Sequence, residues 1–276
     1  MQADFQSFLM LAVVAGGIVL LLHRSRTASA EHHARATSLP PSGGQSSRPE
    51  TAGNPAHAVA PPGDGVGWLA LLQAVFPVLL AVFLFRAFIV EPYRIPTGSM
   101  IPTLTIGDYV FVSKFAYGLR LPILNWKFLP LGQPQRGDVV VFVPPHEQRY
   151  FIKRVVGLPG DRVRVVMGEL YINGERIDMQ VDGSDSADDG VQGYVESLGS
   201  SSHRIQRFVG MRSREGEWRV PDNSFFMLGD NRDMSEDSRY WGYVAADQIV
   251  GRAVAIWVHK PPGWSWPTLA RNGVIH

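Results

Sequence analysis

The chain has 276 residues, 45% of them apolar, a formal net charge of +1 and no cysteine. Length and apolar content suffice for one folded domain with additions. The charge balance offers no basic field that would draw nucleic acid as a partner, and the missing cysteine excludes disulfides, thiolate nucleophiles and cysteine-ligated zinc.

Residues 8–22 are almost purely apolar, with Phe5 just upstream. The run is shorter than the ~20 residues of a usual spanning helix, and Ala28-Ser29-Ala30 beyond it would suit a cleaved leader. The charges argue against a leader: Asp4 precedes the run, while Arg24 and Arg26 follow it, the reverse of a secretory leader. The excess of positive charge after the run places the next segment inside. Residues 1–22 are therefore expected to form a first transmembrane segment. Residues 23–66, rich in Ser, Ala, Pro, Gly and His, are expected as a flexible cytoplasmic linker. His32 and His33 have no third ligand at useful spacing and read as a solvated pair, not a metal site. Residues 67–90 are expected as a second span, since the 23 helical residues 68–90 reach ~34 Å. Trp68 suits the entering interface, Pro77 is tolerated in a membrane helix, and Arg86 sits where its side chain can snorkel outward. This helix would deliver residues 91–276 to the outer face.

From residue 109 the pattern changes to short β-branched or aromatic runs, at 109–113, 138–143, 150–156, 162–166, 224–228 and 248–258, punctuated by Gly, Pro and Asp. Asn173-Gly174 between two such runs is the signature of a type I′ hairpin. No long 3.6-residue periodicity interrupts the region, so a mainly antiparallel β domain follows. Residues 179–217 are polar and poor in apolar residues at core spacing. They read as an insertion, disordered or forming a small accessory lobe.

Three segments carry chemistry. In Pro96-Thr97-Gly98-Ser99-Met100-Ile101-Pro102, Gly98 and the prolines hold Ser99 in an irregular turn that presents its hydroxyl. Lys153 stands inside the apolar strand Phe151-Ile152-Lys153-Arg154-Val155-Val156. If Arg154 faces solvent, Lys153 faces the interior with Phe151 and Val155. Desolvation disfavours the ammonium, and bringing its pKa near 7 needs about 4–5 kcal/mol of bias. Such an amine can take a proton from a serine. The third segment, Gly229-Asp230-Asn231-Arg232-Asp233-Met234-Ser235-Glu236-Asp237-Ser238-Arg239, is a dense polar loop directly after an apolar run. Its two arginines and its spacing count against a calcium loop. Asp237 with Arg239 can pin it by a charge-assisted pair, and Ser235 can orient the lysine amine.

Together with Gly107-Asp108-Tyr109-Val110-Phe111-Val112-Ser113-Lys114-Phe115-Ala116-Tyr117-Gly118, these segments occur in the order seen in bacterial type I signal peptidases, which residues 91–260 closely resemble. The resemblance implies a fold of coiled antiparallel sheets, shared with self-cleaving repressors of the LexA type. It implies a serine endopeptidase using a Ser–Lys dyad to remove signal peptides after small-x-small motifs such as Ala-x-Ala, with no metal and no cofactor. Carried over by motif, Ser99 is the nucleophile and Lys153 the base. The Ser99 N–H and the Thr97 hydroxyl, where many members have serine, hold the oxyanion. Ser235, Asp237 and Arg239 support the dyad. Tyr93, Ile95, Pro96, Met100, Leu104, Val110, Val140, Phe151 and Ile152 line the substrate pockets, Phe151 replacing a frequent tyrosine. The implied partners are signal-peptide-bearing pre-proteins, the phospholipid bilayer and the neighbourhood of the secretion translocon, and the implied location is the outer (periplasmic) face of the bacterial cytoplasmic membrane. The apolar segment 119–131, with Trp126, is a candidate for dipping into the bilayer surface. Two other readings remain at this point, a self-cleaving regulator and a catalytically silent module that binds signal sequences. Self-cleaving regulators carry a DNA-binding helical domain in the position where this chain is expected to have its two spans, and the second reading is disfavoured by the presence of both Ser99 and Lys153.

Overall fold

The computed structural model describes residues 11–25, 65–88, 90–120, 127–129, 131–183, 190–199 and 201–276. It divides into two units, Met1–Phe85 and Arg86–His276.

In the first unit, residues 11–25 form helix α1 and Gly65–Phe88 begin and end helix α2. Apolar side chains stand exposed on both, among them Leu11, Ile18 and Leu21 on α1 and Leu71, Val75, Val78 and Val82 on α2. Within the described side chains, which in α2 are those of residues 67–83, no helix is long and apolar enough to cross a membrane. The α2 backbone itself runs for 24 residues with Pro77 inside it. The residues before 11, most of the linker (including His32 and His33) and the centre of the 119–131 segment (including Trp126) lie outside the described residues.

The second unit is built of strands. In chain order they are β1 (Val90–Arg94), β2 (Asp108–Ser113), β3 (Leu119–Arg120), β4 (Lys127–Leu129), β5 (Val139–Phe142), β6 (Phe151–Gly157), β7 (Arg162–Val166), β8 (Glu169–Ile172), β9 (Glu175–Arg176), β10 (Met179–Val181), β11 (Val191–Leu198), β12 (Ser201–Phe208), β13 (Gly216–Arg219), β14 (Ser224–Leu228), β15 (Val244–Ala245), β16 (Ile249–His259) and β17 (Gly273–Val274). One short helix, α3 (Ser238–Trp241), precedes β15. The main sheet runs β1-β2-β16-β5-β6-β14-β15, with β17 also on β16, and the other sheets run β13-β7-β8-β9, β10-β11-β12 and β3-β4. Every strand pair is antiparallel, so the expected fold class is the observed one.

The strand runs read from β-branched and aromatic clustering reappear as β2, β5, β6, β7, β14 and β16 within a residue or so of their limits. The β8–β9 hairpin turns at Asn173 (φ 53°) and Gly174 (φ 89°), the two positive φ angles a type I′ turn demands. β6 and β14 are apolar almost throughout because both faces are covered. Phe225 and Met227 pack with Val140, Phe142 and Val155, while Phe226 and Leu228 pack with Val156, Val163 and Leu198. A third apolar cluster joins Tyr93, Ile95, Met100, Leu104, Val110 and Ile152. Disorder, one of the two expectations for 179–217, does not describe the residues seen there. β10, β11 and β12 form an ordered three-stranded sheet, and Gly216–Arg219 belong to β13 against β7. The stretch reads as polar because half of the side chains this sheet buries are themselves polar: Glu196 and His203 lie inside beside Leu198 and Ile205.

β6 and β14 approach closely at Gly157. A Cβ there would meet Val163 Cγ2 at 2.7 Å and Phe226 Cβ at 2.8 Å. Gly157→Ala is therefore expected to cost about 1–3 kcal/mol by overpacking. Urea unfolding of the full chain measures it, and a cost near zero would show that the two strands separate freely.

Candidate active site

Ser99 sits in the irregular turn that follows β1. Ile101 N donates to Gly98 O at 3.2 Å and Leu104 N to Met100 O at 2.9 Å, which buries Met100 and Leu104 and leaves the Ser99 hydroxyl at the edge of the apolar cluster. Lys153 is the third residue of β6, paired across to Val140 of β5. Its Nζ donates to Ser99 Oγ at 2.5 Å. Ser99 is 8% and Lys153 3% exposed. Burial pushes the lysine pKa down from 10.5 to about 8, against an opposing pull from Asp237, Asp230 and Glu236. These three carboxylates favour the ammonium and so limit the fall that burial causes. The Thr97 hydroxyl lies exposed, 3.4 Å from Ser99 Oγ.

The expected exposure of Arg154 is corrected: it is 0% exposed. Both faces of β6 are covered, so strand alternation does not send every second residue to water. Arg154 forms a two-pronged pair with Asp230, Nε to Oδ1 at 2.8 Å and Nη2 to Oδ2 at 2.7 Å. Its Nη1 donates to Gly137 O and His276 O. Thr103 Oγ1 completes the Asp230 carboxylate at 2.5 Å. The Arg154–Asp230 pair thus ties the strand of the lysine to the start of the 229–239 loop.

That loop is held to the serine turn from its other side. Asn231 N donates to Ser99 O at 3.2 Å and Asn231 Nδ2 to Gly98 O at 3.0 Å. Gly229 is the only residue type that fits beside this junction, since a Cβ there would stand 2.4 Å from Ser99 O and 2.2 Å from Ser235 Oγ. The Asp237–Arg239 pair is made as expected, Nε to Oδ1 and Nη2 to Oδ2 both at 2.8 Å. Asp237 Oδ2 also accepts from Gly229 N at 3.1 Å. Ser235 is buried, but its hydroxyl has no hydrogen-bond partner, so the expected bond to the lysine amine is not formed in this state. Asn231 and Arg154 were not singled out by motif reasoning. The signal lay in the same polar loop, but which of its side chains turn inward is a tertiary fact.

The expected lining is divided. Tyr93, Ile95, Met100, Leu104, Val110 and Ile152 share the cluster beside Ser99. Val140 belongs to the cluster on the other side of the sheet, and Phe151 packs against that cluster. Pro96 is exposed. The Phe151 ring nonetheless stands 5.8 Å from Lys153 Nζ, closing the lysine side of the site.

Adjacent residues on β6 predict opposite stability effects. The lysine's folded pKa of about 8 lies below its unfolded value, so its burial penalty is fully present below pH 8 and disappears as pH rises towards 10.5. Lys153→Met should raise stability at pH 7 by about 1–3 kcal/mol. Arg154→Met leaves Asp230 unpaired in the interior and should cost about 3–5 kcal/mol. Thermal unfolding of the two variants tests the pair, and equal shifts would contradict it.

The family model described as "Signal peptidase, peptidase S26" matches residues 68–258. A signal peptidase I of Pseudomonas aeruginosa is 46% identical over 221 residues, covering 74% of this chain and 78% of the relative. One of Buchnera aphidicola is 34% identical over 241 residues, covering 71% and 77%. A solved signal peptidase I from Enterococcus faecalis shares 27% identity over 44% of this chain and 97% of its own, with a TM-score of 0.30.

Proposed function

The chain belongs to the signal peptidase family, peptidase S26, and as the serine endopeptidase that membership makes it, a cleaver of signal peptides, we propose that it works through Ser99 as nucleophile and Lys153 as general base. The observation that carries this reading is the 2.5 Å contact between Lys153 Nζ and Ser99 Oγ inside an apolar wall. Neutral Lys153 accepts the hydroxyl proton as Ser99 Oγ attacks the scissile carbonyl. The Ser99 N–H and Thr97 hydroxyl hold the oxyanion. The lysine ammonium returns its proton to the departing amine, and water, deprotonated by the same lysine, releases the acyl group from Ser99. Asp237 and Arg239 brace the loop, and Ser235, with an unpaired hydroxyl beside Gly229, turns to the amine when substrate arrives.

The apolar cluster serves two ends. It disfavours the ammonium, and it offers Ala-sized room to alternate side chains of an extended peptide laid between the Tyr93 and Ile152 segments. Cleavage after Ala-x-Ala follows. The helices carry the domain to the outer face of the cytoplasmic membrane, where pre-proteins emerge near the translocon. In support, the 24 residues of α2 give a rise of ~36 Å, their sequence holds one charge, Arg86, and both helices leave apolar side chains exposed. Trp264 and Trp266, both exposed, suit contact with the bilayer surface.

Cleavage of an Ala-x-Ala pre-protein by the full chain is expected to fall at least 1000-fold in Ser99→Ala and in Lys153→Ala. A Ser99→Ala protein that cleaves at the wild-type rate would overturn the assignment. Because the base acts unprotonated, kcat/KM of the wild type should climb with pH to a plateau, with its midpoint near the lysine pKa of about 8. A flat profile from pH 6 to 9 would contradict a titrating lysine. Replacing Trp264 and Trp266 by Ser should weaken cleavage of liposome-embedded substrate more than that of a soluble peptide, and equal effects would count against bilayer contact.

A further inference from the structure

The accessory sheet sends a charged side chain into the scaffold of the site. Glu196 of β11 stands directly across from His203 of β12, and both are buried. The Glu196 carboxylate accepts from both terminal nitrogens of Arg232, Nη1 to Oε1 at 2.6 Å and Nη2 to Oε2. His203 Nε2 lies 3.3 Å from Glu196 Oε2 and 3.9 Å from Asp230 Oδ1. Arg232 follows Asn231, the residue that holds Ser99 O and Gly98 O.

The Arg232 backbone is fixed in the same way. Its N–H donates to Gln206 O at 3.0 Å, while Gln206 N donates to Asp230 O at 2.9 Å, so β12 grips the loop on both sides of Asn231. Arg232 O accepts from Arg239 Nη2 at 2.5 Å, and Arg239 holds the Asp237 carboxylate that caps Gly229. The loop is therefore anchored by Asp230 to the lysine strand, by Asn231 to the serine turn and by Arg232 to the accessory sheet, and Asp233 accepts from Phe208 N and Ser213 Oγ besides. The first two belong to the site itself. The third reaches outside it, and its side-chain half ends on Glu196.

We propose that Glu196 is a positioning residue for the Ser99–Lys153 pair, acting through Arg232 to hold the 229–239 loop in register with the serine turn. The inference rests on the Ser99–Lys153 reading. A guanidinium taken fully out of water keeps a fixed place only while its carboxylate partner meets both prongs. When Glu196 is neutralised, Arg232 seeks water or another acceptor. Its backbone carbonyl moves with it, and with that the Arg239–Asp237 pair and the Asn231 contacts to Gly98 and Ser99. The reaction geometry then loosens while the peptide-binding wall around Tyr93, Ile95 and Ile152 is untouched. The effect belongs in kcat, not KM.

The test uses the full chain in detergent with an Ala-x-Ala pre-protein. Glu196→Gln should lower kcat at least 10-fold with KM within twofold of wild type, and should move the midpoint of the pH–rate profile, because Asp230 and Asp237, which favour the lysine ammonium, ride on the loosened loop. Since this variant leaves a buried unpaired cation and can fail to fold, Glu196→Leu/Arg232→Met decides the matter. An apolar pair of similar size restores stability but not the anchor, so its Tm should equal or exceed that of wild type while kcat stays at least 10-fold down. Wild-type kcat and an unmoved pH midpoint in the folded double variant would overturn the proposal, reducing the pair to charge compensation. Ser99→Ala assayed alongside separates the two readings: a fully active Ser99→Ala defeats the dyad, whereas an inactive Ser99→Ala with a fully active double variant defeats only the role of Glu196.

Discussion

In the proposed mechanism, an amine that must be both buried and unprotonated is the constraint around which the β domain is arranged. Lys153 reaches Ser99 Oγ at 2.5 Å from a strand covered on both faces. In water the amine would be charged and useless as a base near neutrality. The interior lowers its pKa only as far as neighbouring carboxylates permit, and Asp237, Asp230 and Glu236 hold it at about 8. Each of the first two is in turn occupied by a guanidinium, Asp237 by Arg239 and Asp230 by Arg154. Their residual pull on the amine is thereby limited. The ion pairs that look like structural staples thus also set how easily the lysine gives up its proton.

The same constraint separates stability from activity. A buried lysine weakens the fold at neutral pH, and a polar loop of eleven residues beside a core strand exposes or buries many groups that must find partners. The structure meets most of these demands with charge-assisted bonds that also carry geometry. Arg154–Asp230 joins β6 to the loop, Asn231 joins the loop to the serine turn, and Glu196–Arg232 joins it to the accessory sheet. Buried atoms without a hydrogen-bond partner remain in the loop on Ser235, Asn231 and Arg232, and outside it on His203, Arg207 and Trp241.

The apolar cluster beside Ser99 links this electrostatic arrangement to recognition. Tyr93, Ile95, Met100 and Ile152 keep water from the amine and leave little room beside the nucleophile. In the proposed mechanism, selectivity for small side chains and a depressed lysine pKa draw on one set of residues, and enlarging the pocket would be expected to disturb both. The exposed tryptophans near the C-terminal end and the apolar helices place this chemistry beside lipid in the proposed arrangement, where the substrate's own apolar segment lies.

Much of the molecule was legible before any coordinates. β-branched runs bounded by Gly and Pro mark strands wherever one side of the strand, or both, faces apolar neighbours. Asn173-Gly174 dictates its turn locally, and the order of Ser99, Lys153 and the 229–239 loop carries the family. The errors share one cause. A solvent-facing Arg154 and a disordered 179–217 insertion both follow from patterns that equate charge with exposure. Burial of Arg154, Glu196, His203 and Arg232 depends on partners far along the chain: Asp230 for one, and for the others a sheet formed only when β11 and β12 pair. That the chain carries a serine in an irregular turn and a lysine inside an apolar strand is written in the sequence alone. That its hydroxyl lies 2.5 Å from the amine, and that a distant carboxylate helps to hold the loop between them, was decided by tertiary structure, since only folding makes long-range charges neighbours in a place without water.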